Sequence, residues 1–174
     1  MPYLVRYRLD DDEWRDMSAA ITKRVSDLRP VLKQAGEYIL LQVDDRFKHE
    51  RDPDGRPWKS LKAVTLVASF QGGRKRRAFK KRGGETKGYQ RFKAGKKILQ
   101  DAGTRGGLRG SITYEAGRTS LAHGTNKIYG AIHQLGGQAG RGHSVTIDPR
   151  SYLGYNARDL AHIRHLIASY IAGK

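Results

Sequence analysis

Residues 124–137 read GTNKIYGAIHQLGG. Gly124, Thr125 and Asn126 open a turn. Ile128, Ala131, Ile132 and Leu135 then recur at spacings of three and four, which predicts a short helix over 127–135 with one apolar face. Gly136 and Gly137 end it, as glycine does where a chain must turn sharply after a helix. Asn126 is the expected N-cap, and His133 falls one helical turn after Tyr129.

The neighbouring stretches extend this pattern. On the N-terminal side, 108–114 and 119–123 form an expected antiparallel strand pair around Ala116 and Gly117. On the C-terminal side a glycine-rich loop leads to an expected strand at 144–147. A helix over 157–172 follows, with Leu160, Ile163, Leu166, Ile167, Tyr170 and Ile171. Nearer the N-terminus, residues 3–9 alternate as a short strand would. A helix is expected at 12–25, with acids in its first turn where they suit the dipole.

The clearest periodicity is Leu28, Leu32, Ala35, Ile39, Val43 and Phe47, joined by Val31 and Tyr38. It predicts a long helix from Asp27, with Pro30 in the first turn. The turn-rich 52–57 ends it, and Trp58 folds back onto the core. A short helix fits 59–70. The resulting class is α+β: a small antiparallel sheet packed against a long helix and a C-terminal helix. The 174 residues read as a single domain.

The charge is uneven. The chain carries a formal +17, and 71–97 holds twelve Lys and Arg against Glu85 alone, or +11 of that total. With six glycines and few branched apolar residues, this stretch reads as a mobile insert, a long basic loop or arm. Arg74, Lys75, Arg76, Arg77, Lys80, Lys81, Arg82, Lys87, Arg91 and Lys93 are its candidates for contact with nucleic acid or an acidic partner. Lys and Arg neutralise phosphates without reading sequence, and Phe79, Tyr89 and Phe92 between them offer rings for base stacking. A solvated loop, or an arm ordered on another protein, is the competing reading.

Four segments resemble the phage virion morphogenesis family, the tail-completion proteins of Mu-like and related phages. They are FKHERDPDGRPW at 47–58, ILQDAGTRGGLRGSI at 98–112, HGTNKIYGAIHQLGG at 123–137 and IDPRSYLGYN at 147–156. They occur in the expected order and cover about a third of the chain. Ser151 stands where the family commonly has proline, and the basic insert is longer and more cationic than is usual. The resemblance implies a structural protein that caps the head-proximal end of the tail as a ring, often a hexamer. Its implied partners are further copies of itself, the tail tube and neck or connector proteins, with non-specific contact to DNA. Its implied location is the host cytoplasm during assembly and then the tail-neck region of the virion.

A ring subunit needs surfaces that meet head to tail. Asn126, Tyr129, His133, Arg150 and Tyr152 are the candidate interface residues. The Arg150 fork fits a carboxylate across an interface or a partner inside the protomer, and the glycines serve equally as ordinary turn and cap positions. Asp101 is placed to hold the following glycine-rich turn.

No catalytic, cofactor or metal site is expected. The six histidines show no metal-ligand spacing, and no phosphate-binding loop, nucleophile elbow or zinc helix occurs. A nuclease would need a carboxylate cluster that the sequence does not assemble. With no cysteine, there is neither a disulfide nor a thiolate site. No stretch reaches the roughly 20 apolar residues of a membrane span. The acidic start does not read as a signal peptide, so a cytosolic protein is expected. The competing function is a small basic nucleic-acid-binding module acting outside the virion.

Overall fold

The computed structural model describes residues 11–72, 77–100 and 107–174. The strand expected at 3–9 and the Asp101 turn lie outside these residues, as do Arg74, Lys75 and Arg76.

The α-helices are α1 (Asp12–Ser26), α2 (Arg29–His49), α3 (Ala63–Gln71), α4 (Lys87–Gly95), α5 (Gly130–Leu135) and α6 (Ala157–Ala172). The strands are β1 (Ile112–Ala116), β2 (Leu121–Thr125), β3 (Gly137–Ala139) and β4 (Val145–Ile147). The α+β class holds, with the antiparallel part divided between two two-stranded pairs, β1–β2 and β3–β4. In the second pair Gly137 faces Ile147 and Ala139 faces Val145. The sequence marked 137–139 as loop, because a three-residue strand beginning with glycine shows no alternation.

Two compact units divide the chain. The first comprises the described residues up to Ile39, together with Tyr114–His123 and Ala157–Lys174. Its core is Val31, Leu32, Ala35 and Ile39, all at most 5% exposed, on the face that the periodicity assigns to α2. Arg24 on α1 donates to the Ile171 carbonyl (3.1 Å), and the Tyr170 hydroxyl donates to the Asp27 carbonyl (3.1 Å), so α6 is tied to the end of α1. Asp27 also accepts from the Arg29 side chain and backbone N–H. Those bonds lower its carboxyl pKa to about 2, the Arg29 side chain contributing most. Tyr38 donates to the buried Asp159 (3.1 Å) and its ring lies 4.1 Å from His162.

Gly36 in α2 lies under the Tyr114 ring, where an added Cβ would fall 2.3–2.6 Å from three ring atoms. We predict that Gly36→Ala destabilises the protein by about 1–3 kcal/mol through overpacking. In a Tyr114→Ala background the same change stabilises it by about 1 kcal/mol, the helix preference of Ala over Gly. Urea unfolding of the four variants checks this, and the same sign in both backgrounds would refute it.

The second unit comprises Leu40–Thr113 and Gly124–Asn156. Phe47, fully buried, is its centre. The Trp58 ring meets it edge-on at 5.4 Å and Tyr152 lies 5.4 Å away on another side. Trp58 folds back as expected, and its indole N–H donates to the Ser151 carbonyl (2.9 Å). Helix α2 stops where Glu50 takes a left-handed conformation (φ 53°). The Glu50 carbonyl accepts from the Trp58 N–H and its carboxylate from the Ile98 N–H (2.7 Å each), so one residue anchors both following segments.

Candidate interaction surface

The 124–137 segment folds differently at its start from the sequence expectation. Asn126 does not cap a helix at Lys127. The Thr125 hydroxyl accepts from the Lys127 N–H (3.1 Å), and the helix proper begins at Gly130 with Tyr129 as its N-cap. Thr125 and Asn126 are both good capping residues, and sequence alone cannot choose between them. The later start removes Ile128 from the helix. Ile128 is 99% exposed and Leu135 77%, so much of the apolar stripe is on the surface.

What fixes α5 is backbone recognition. The Gln134 side-chain carbonyl accepts from the N–H groups of Tyr152 (2.9 Å) and Leu153 (3.0 Å), and its amide donates to the Leu153 carbonyl (3.1 Å). The Arg150 N–H donates to the His133 carbonyl (2.7 Å). The Tyr152 hydroxyl donates to the Gly130 carbonyl (3.0 Å), and a Cβ at Gly130 would lie 2.5 Å from the Thr125 methyl. Gly136, at φ 75°, passes so close to Pro149 that a side chain would strike its ring. Gly130 is required by space, and Gly136 by both conformation and space.

The five interface candidates therefore divide. Arg150 and Tyr152 are buried, and Arg150 donates to the carbonyls of Lys59 (2.9 Å) and Ser60 (3.2 Å). Of the two roles open to its fork, the structure places it inside the protomer. Asn126 and Tyr129 are on the surface, and the His133 ring stands edge-on to Tyr129 at 6.1 Å. Tyr129 and His133 also line a shallow hollow with Leu61, Thr65 and Leu108.

Within the basic stretch, residues 79–95 form a bridged turn followed by a helix. The Phe79–Glu85 bridge closes a turn over Lys80–Gly84, and consecutive left-handed glycines, Gly83 (φ 86°) and Gly84 (φ 79°), allow it to reverse. Thr86 accepts from the Tyr89 N–H and starts α4. Tyr89 is buried, 5.4 Å from Phe70, which packs equally close to Phe92. Composition misses this because three rings do the work of a longer apolar run. Neither Tyr89 nor Phe92 is fully open to a base, whereas Phe79 is 53% exposed. Arg77, Lys80, Lys81, Arg82, Lys87 and Arg91 are exposed. Lys93 is partly buried, pairs with Glu85 and lies 5.3 Å from the Tyr89 ring centre.

A third surface drew no role from the sequence. On α1, Trp14, Met17, Ile21 and Val25 are all exposed, with Trp14 at 64%. Their spacing of three, four and four aligns them in one stripe. Among the described residues no group of three His, Cys, Asp or Glu could hold a metal ion. Among the same residues, no helix is long and apolar enough to cross a membrane. Asp44 and Asp45 are held by cations. Hydrogen bonds, from Arg109 above all for Asp44 and from Arg51 for Asp45, lower both carboxyl pKa values.

Glycine-locked turns and exposed apolar side chains suit a protein that meets other copies or partners. Comparison with known proteins agrees. The profile of the phage virion morphogenesis family matches residues 9–172. The chain belongs to that family, and its role lies in phage virion assembly. It is similar to the Mu-like prophage FluMu G protein 2 of Haemophilus influenzae, at 44% identity over 63 residues. That match spans 36% of this chain and 46%, under half, of the relative. No solved structure matches the chain.

Proposed function

We propose that this protein is a structural tail-completion subunit. Copies assemble as a ring, a hexamer by family resemblance, at the head-proximal end of the tail and help join it to the head. The flanking partners are the tail tube and the neck or connector proteins, and no catalysis is involved. It acts in the host cytoplasm during assembly and stays in the tail-neck region of the virion. The observation that supports this most is the family match over nearly the whole chain. The braced α5 segment, with Tyr129 and Leu135 held outward, suits a subunit that must repeat one contact around an axis.

The test is electron microscopy of a lysate from phage carrying a stop codon in this gene. Filled heads beside unjoined tails, or tails of abnormal length, are expected. Joined virions of normal length would overturn the reading.

A second reading, a basic nucleic-acid module, draws support from the exposed cations around the 80–84 turn. Deleting the whole stretch would remove buried Tyr89 and damage the fold. Arg77→Ala, Lys87→Ala and Arg91→Ala together separate the two readings, because they remove exposed cations and leave the 80–82 turn intact. The module reading expects activity to vanish, whereas the tail-completion reading expects virions still to form, with docking at most weakened.

A further inference from the structure

The stripe on α1 and the turn at Phe79 have the same design with opposite charge. Four of the chain's 17 acids, Asp11, Asp12, Glu13 and Asp16, fall in the first turns of α1, with Arg15 the one base among them. Arg15 pairs with Asp11 (3.0 Å), so the end of the helix that exposes Trp14 is acidic. The turn that exposes Phe79 carries Lys80, Lys81 and Arg82, and the nearby Glu85 is already paired with Lys93.

Each patch places a large exposed ring among charges of one sign. A ring set in a polar rim is how binding energy concentrates at protein interfaces. Two copies at +17 repel one another. A contact that lays the acidic patch of one copy over the basic turn of the next turns part of that repulsion into attraction. It joins two different surfaces, so it is heterologous and propagates head to tail.

We infer that α1 of one copy, through Trp14 and its acidic first turns, docks on the Phe79–Arg82 turn of the neighbouring copy. The inference rests on the ring reading above and names the surfaces that build the ring.

Sedimentation of two charge-reversed proteins tests it. One carries Glu13→Lys and Asp16→Lys, the other Lys80→Glu and Arg82→Glu. Each is expected to self-associate at least about tenfold more weakly than the unaltered chain. An equimolar mixture is expected to recover association at one-to-one stoichiometry, since every contact in it is again between opposite charges. Trp14→Ala, at an exposed position, is expected to weaken association comparably while leaving the melting temperature unchanged.

Self-association undiminished in both reversed proteins would overturn the inference, as would a mixture that fails to recover. Loss on reversing α1 alone would indicate that α1 pairs with its own copy, and also overturns it. If reversal at the turn abolishes duplex DNA binding but not oligomers, the partner of the turn is nucleic acid and the inference falls. An unaltered chain that stays monomeric, alone and in the mixture, overturns it as well. The ring reading is judged separately, by the stop-codon phage.

Discussion

Phe47→Ala is expected to destabilise the protein by about 3–5 kcal/mol, the usual range for emptying a buried aromatic site. For a chain of this length that lowers the melting temperature by about 6–20 °C. The size follows from what surrounds the ring. Phe47 is fully buried, with Trp58 packed edge-on and Tyr152 tilted against it. Each neighbour is also pinned by a hydrogen bond, Trp58 to the Ser151 carbonyl and Tyr152 to the Gly130 carbonyl. Pinned neighbours cannot collapse into the space, so the cavity persists and its cost is felt in full. Phe47→Leu keeps most of the volume and is expected to cost less than half as much. Thermal unfolding of both checks this, and equal losses would show that the site relaxes freely.

Arg46→Met is expected to cost about 2–4 kcal/mol, chiefly from carbonyls left without donors. Arg46 is buried, and its guanidinium donates to the carbonyls of Tyr152 (3.1 Å) and Gly154 (2.9 Å). Two effects oppose each other in the substitution. Burying a guanidinium is costly, and methionine relieves that cost. Two carbonyls then lose their donor, each worth about 1–3 kcal/mol when orphaned. The carbonyls outweigh the relief because Gly154, at φ 127°, rests against Pro53 and cannot turn its backbone away easily. Denaturant midpoints measure the result. An Arg46→Met protein as stable as the parent would mean that water reaches both carbonyls.

Arg46 also marks the limit of what the sequence discloses. Periodicity assigns α2 its apolar face, and Val31, Leu32, Ala35, Ile39, Val43 and Phe47 are all buried there. Arg46 lies three residues after Val43, on the same side, yet charge argues for solvent until the Tyr152 and Gly154 carbonyls that accept from it are seen. Its position inside the stripe was the one available signal. The order of α1, α2, α3, β1, β2, β4 and α6 is legible for the same reason, since each has its own period or turn residues. Strand β3 and helix α4 are not. One is three residues long and opens with glycine, and the other depends on Phe70, which precedes it by more than a turn of chain.

The candidate surface was legible in part. Asn126 and Tyr129 are exposed, whereas Arg150 and Tyr152 are buried and bonded within the fold. Exposure at the end of a strand depends on what packs over it, and that partner is distant in sequence. The α1 stripe had the opposite problem. Trp14, Met17, Ile21 and Val25 read as any helix face that seeks a core, and only the fold leaves them uncovered.

Gln134 bonds to main chain at 152 and 153 rather than to any side chain there. The Ser151 N–H takes no part in this clasp, which runs through the N–H groups of residues 150, 152 and 153. Position 151 is thus a link where an imino acid would leave the backbone clasp intact and cost only the Ser151 hydroxyl bond to the Gln134 carbonyl (3.3 Å). Such a clasp is indifferent to the lettering of the strand it holds and intolerant of change in the hand that holds it. The clasp itself makes no demand on the side chains at 152 and 153, where Tyr152 is fixed instead by its packing on Phe47, while a single oxygen-for-nitrogen exchange at residue 134, glutamine to glutamate, would turn its donor into an acceptor facing the Leu153 carbonyl.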